Sequence, residues 1–269
     1  MAYNFNIGTY SCKISTSSKS AQLWFDRGLI WAYGFHWDEA VACFKESVKA
    51  DPKCAMSSWG VAYALGPYYN RMWHQLDELE LPNVLTECFQ ASQTALKLCN
   101  EVTSLEKDLI FALAKRHPCD RAPDDFSIWD DNYATAMRDM NKKYPDNPDV
   151  TTLFAEAIIS QTPWKLWDLN TGMPKEGAAT IEAKETLEKA IDLIELNGSP
   201  PHAGILHYYI HVMEMSPTPE AALRAGDLMR TLVPDCGHLL HMPTHIDFQC
   251  GNYNDVVTRN SEAIEADKK

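Results

Sequence analysis

Residues 21–52 read AQLWFDRGLIWAYGFHWDEAVACFKESVKADP, and this stretch decides the fold. Trp24, Gly28 and Trp31 share one face of a first helix, since positions three and four apart are neighbours on a helix surface. A turn follows at Gly34-Phe35-His36-Trp37. Ala40, Phe44 and Val48 then mark the apolar face of a second helix, which Pro52 terminates because proline cannot continue the hydrogen-bond ladder. Gly28 and Ala40 let the two helices approach closely, and Phe44 fills the space beside them.

This helix–turn–helix grammar resembles the tetratricopeptide repeat, whose period is about 34 residues. Working outward, a further first helix is expected at residues 56–65, with Trp59, Gly60 and Ala62. The same grammar returns from residue 131, where Tyr133, Ala136 and Met140 lead to Pro145-Asp146-Asn147-Pro148. Helices are then expected at 151–160, 178–196, 203–215, 219–232, 237–249 and 255–267. Clear repeats thus cover about 21–66 and 131–267, with irregular helices between about 71 and 123. Val, Ile and Thr nowhere alternate long enough for strands. The expected fold is all-α: one tetratricopeptide-like domain over 1–269, built as a right-handed solenoid of antiparallel helix pairs with a concave groove.

Composition narrows the function. The net charge of −13 and the lack of a basic cluster make nucleic acid and anionic membranes poor partners. No apolar run approaches the ~18 residues that a membrane helix needs. The first residues, MAYNFNIGTYSCKIS, lack the charged start and apolar stretch of a secretory signal, so a cytoplasmic protein is expected. None of the eight cysteines forms a C-x-x-C pair, and buried free thiols are the expectation.

The histidines carry the chemistry. Six of the nine fall between residues 202 and 245, which argues against chance scatter. His207 and His211 are four apart, as are His241 and His245, so each pair shares a helix face. The two pairs are offset by 241 − 207 = 34 residues, one repeat period. Helices packed about 8–10 Å apart would let four imidazoles converge on one metal ion. Glu214, three after His211, is a further ligand or an acid/base. His238, three before His241, is a further ligand or a group that orients the ligands. His202 lies at a helix entry and reads as structural. Pro243 interrupts the second stripe, and it either kinks that helix or marks a late start.

The segments HYYIH (207–211) and GHLLHMPTH (237–245) resemble those of a group of bacterial and fungal tetratricopeptide-repeat proteins with H-Y-Y-I-H and G-H-L-x-H-M-P-x-H motifs. WGVAYALGPYYN (59–70) and PWKLWDLNTGMPKEG (163–177) agree with the same group. The resemblance implies that the histidine face lines the concave groove. Loop 162–177 is either a lid over that groove or a core plug formed by Trp164 and Trp167, and Asn70 would add a polar group to the groove. An imidazole-rich site suits copper or iron, with zinc also fitted, better than magnesium or calcium. The expected function is a metal-dependent enzyme, an oxidoreductase before a hydrolase, acting on a small molecule. The alternative is a non-catalytic scaffold for a protein or peptide partner, with or without metal.

Overall fold

The computed structural model describes residues 3–269, which form helices joined by turns and loops. The helices are α1 (Lys19–Tyr33), α2 (Trp37–Ala50), α3 (Ala55–Leu65), α4 (Leu81–Leu98), α5 (Ser104–Arg116), α6 (Ser127–Lys143), α7 (Pro148–Ile159), α8 (Thr180–Leu196), α9 (Ala203–Met213), α10 (Leu223–Met229), α11 (Gly237–His241), α12 (Pro243–Gln249) and α13 (Tyr253–Asp267). Among the described residues the only β pairing is two isolated bridges, Tyr68 with Arg71 and Trp167 with Pro174. No helix of the described chain is long and apolar enough to cross a membrane. Backbone contacts divide the chain into two compact units.

One unit comprises Ser11–Ala32 and Trp37–Pro163. Its helices pack on their sequence neighbours, α2 on α3, α3 on α4, α5 on α6 and α6 on α7. The Phe44 ring shows why. A Cβ on Gly28 of α1 would come within 2.8 Å of that ring, and one on Gly60 of α3 within 2.3 Å. Only a residue without a side chain allows α2 to lie so close to both helices. Burying such a ring contributes about 1.5–3 kcal/mol. Further along, Arg116 of α5 is buried and donates to both carboxylate oxygens of Glu156 of α7, at 3.3 and 3.0 Å. Its guanidinium also lies over the Tyr133 ring of α6, so one cation ties three helices together.

Local rules set the helix starts. Thr103 and Glu106 form a reciprocal capping box at α5. Asn147 accepts from the Val150 amide, with Pro148 as the first residue of α7.

The second unit comprises the residues up to Tyr10, the turn Tyr33–His36, and Trp164–Lys269. Every residue of α9 is buried. It packs against α8, α10 and α12, while α13 packs on α11 and α12. The sequence left open two roles for Pro243, and in the structure it opens α12 directly after α11 and Met242. Met242 keeps right-handed helical angles, and its amide still donates to the His238 carbonyl at 2.9 Å. The backbone stays helical through Met242, and Pro243 is the first residue of α12.

Candidate metal centre

The centre lies in the second unit, on α9, α11 and α12. His202 caps α9, its Nδ1 accepting from the Ile205 amide at 3.3 Å, so it is a structural residue. One turn later His207 and His211 point the same way, with ring centroids 4.7 Å apart. Among the described residues, His207, His211 and His238 form a group whose ligand nitrogens all lie within 4.8 Å of one another. The spacing alone sends His241 and His245 to that point. The structure instead brings His238, in the first turn of α11, onto the α9 pair. His241 ends α11, with its ring centroid 6.3 Å from that of His238, and His245 belongs to α12. They form a neighbouring pair, with Nε2 atoms 3.1 Å apart.

Hydrogen bonds orient the trio. The Nδ1–H of His207 donates to the Tyr33 carbonyl at 2.6 Å. The Nδ1–H of His211 donates to Glu214 Oε1 at 3.0 Å. With the proton on Nδ1, each ring keeps its Nε2 lone pair for the centre. The Nε2 atoms of His207 and His238 are 3.1 Å apart. Two nitrogens bound to one ion at about 2.0–2.1 Å would lie roughly 2.8–3.0 Å apart in octahedral geometry and roughly 3.3–3.4 Å apart in tetrahedral geometry. The observed edge falls between the two.

Burial keeps these imidazoles neutral, which is the form that binds metal. Desolvation, then the neighbouring histidine, pushes His207 far below the ordinary histidine range. Desolvation takes His211 down to about 3 and also pushes His238 well down. His245 is lowered for the same reason. Glu214, desolvated in the same place, is pushed up to about 7. Its carboxylate sits on the Nδ1 side of His211 and, at 3.2 Å, of His245. It thus faces the Nδ1 side of both rings.

Phe35 forms one wall. Its ring stacks on His211 and His238 at centroid distances of 5.5 and 5.1 Å, and it tilts against His207 at 4.4 Å. Its φ of 55° is a strained backbone state for a residue with a side chain. No sequence signal marks Phe35, because its partners lie more than 170 residues away. On another side a cavity of about 400 Å³ is lined by His36, Gly237, His238, His241, Asn260 and Asp267, among others.

The remaining candidates lie elsewhere. The Trp167 indole N–H donates to the Val212 carbonyl at 2.6 Å, and the side chain is buried. Trp164 is 41% exposed, so the two tryptophans of loop 162–177 differ in role. Asn70 belongs to the other compact unit. Cys236, two residues before His238, donates to the Gly34 carbonyl at 3.6 Å, and burial pushes its thiol up to about 12. It remains a protonated thiol, not a thiolate ligand.

No protein-family model matches the chain, and no curated protein matches it in sequence. Among solved structures the chain is similar to yeast Tom70, at 14% identity and a TM-score of 0.43. The alignment covers 97% of this chain and 63% of Tom70, so this chain spans less than two thirds of that one.

Proposed function

We propose that this chain is a metal-binding helical-repeat protein that holds one transition-metal ion on His207, His211 and His238. The carrying observation is the trio itself: three neutral imidazoles gathered within 4.8 Å, two of them with Nδ1 pinned to an oxygen. A set of nitrogen ligands without thiolate suits copper or iron, and zinc also fits it. The likeness of the HYYIH and GHLLHMPTH segments to the bacterial and fungal tetratricopeptide group supports the same site. All eight cysteines are free thiols, which fits a reducing compartment such as the cytoplasm.

As a helical-repeat scaffold, the chain would present its helix pairs to a protein or peptide partner, with the ion fixing the local structure. A second reading, a metal-dependent enzyme acting on a small molecule, is favoured by the cavity that reaches His238. An ion with three protein ligands and an open side can polarise a bound molecule.

Elemental analysis of the untagged chain, before and after reconstitution with copper, iron(II) and zinc, tests the binding. The expected result is bound metal in the wild type and a lower metal content in His207→Ala/His238→Ala. Equal metal content in the two proteins, or none in either, overturns the assignment. A metal-dependent turnover lost with the same variant would then favour the enzyme over the scaffold.

A further inference from the structure

We propose that His241 and His245 hold a second metal ion beside the first, with Glu214 as a carboxylate that orients one imidazole of each position. This rests on the metal reading of the trio and extends it to a two-ion centre.

The second pair repeats the geometry of the first. The His241 and His245 Nε2 atoms are 3.1 Å apart, as are those of His207 and His238. Asn260 fixes the His241 ring. Its amide nitrogen donates to the Val256 carbonyl at 3.0 Å, which commits its oxygen to His241 Nδ1 at 2.7 Å. His241 therefore carries its proton on Nδ1 and turns an Nε2 lone pair toward His245. Glu214 faces both pairs of rings. Oε1 takes the His211 Nδ1–H at 3.0 Å, and Oε2 lies 3.2 Å from His245 Nδ1.

Without a metal, one proton bridges the close Nε2 pair, and His245 must supply it, because the His241 proton is committed to Asn260. A metal ion in its place accepts both Nε2 lone pairs at once, with the two nitrogens at the separation they already have.

The surroundings fit an ion with open positions. His241 and His245 are half-buried, unlike His207 and His211. His238 and His241 line the same cavity, so it reaches one ligand of each ion. Two imidazoles leave coordination positions for water, or for the oxygen of a small ligand entering there. Paired ions are known to clamp and activate such oxygens.

The test is stoichiometry on the full-length, untagged, metal-free chain. Zn(II) serves as the probe, in calorimetric titration and in elemental analysis after desalting. The wild type should take up two ions per chain, and His241→Ala/His245→Ala should retain one, with far-UV circular dichroism checking the fold. Asn260→Leu keeps both imidazoles but frees the His241 ring, and should weaken only the second ion, by about 10- to 100-fold. One ion per chain in the wild type, two in the double variant, or an unchanged second affinity in Asn260→Leu overturns the second position. A wild type that binds no ion at all overturns the trio as well, so the two failures are distinguishable.

Discussion

His207 and His238 lie 31 residues apart in the chain, yet their Nε2 atoms are 3.1 Å apart, the span between two ligands of one ion. The imidazole of His207 is set by the Tyr33 carbonyl. That of His238 comes from the first turn of a different helix. The tertiary fold creates this contact, and from it the other properties of the centre follow.

Glu214 holds the His211 ring through Nδ1, so removing its carboxylate should loosen the site without removing a ligand. Glu214→Ala should weaken metal binding by about 10- to 100-fold, with all candidate histidines still present. Competition against a chromophoric chelator measures this. Unchanged affinity would mean that the carboxylate does not orient the ligand.

Metal should stabilise the folded chain, because the site is assembled only by folding. At a free metal concentration 100 times the dissociation constant, linkage gives about 2.7 kcal/mol. Thermal melts with and without a chelator should show a higher midpoint for the metal-loaded protein. His207→Ala/His238→Ala should show a much smaller shift.

Gly60→Ala places a Cβ against the Phe44 ring at 2.3 Å, a distance that real packing does not tolerate. The ring or α3 must move, at about 1–3 kcal/mol. Urea unfolding should show that loss. A stability equal to wild type would mean that the helices are further apart than described.

His117 supplies an acid-sensitive contribution outside the metal centre. Burial, with the charge of Arg116 beside it, lowers this histidine to about 3, against 6.5 for the free group. The unfolded chain binds this proton more readily, so stability is intact at pH 7 and falls as pH drops below 6.5 toward 3. Between pH 7 and pH 5 this one group costs about 2 kcal/mol. Unfolding of His117→Leu across that range should be less acid-sensitive by that amount, whatever its absolute stability. Parallel profiles for variant and wild type would contradict the assignment.

The sequence made the helical pairing legible because glycine, aromatic and proline positions have few structural uses. Gly28, Phe44 and Gly60 are such positions, and the structure brings them together. The i, i+4 spacing of His207 and His211 likewise sufficed to place both rings on one face of α9. The partition of the other histidines was not legible. It depends on where α11 begins, which is set by packing rather than local pattern. Phe35 was equally hidden, since a turn aromatic carries no mark of the partners it meets.

The most direct measurement is anomalous diffraction from crystals of the metal-reconstituted protein, collected at the absorption edge of the metal. A peak is expected between α9 and α11, within about 2.0–2.2 Å of the Nε2 atoms of His207, His211 and His238. Imidazoles that remain bonded to one another, with no peak between them in protein shown to be saturated with metal, would contradict it.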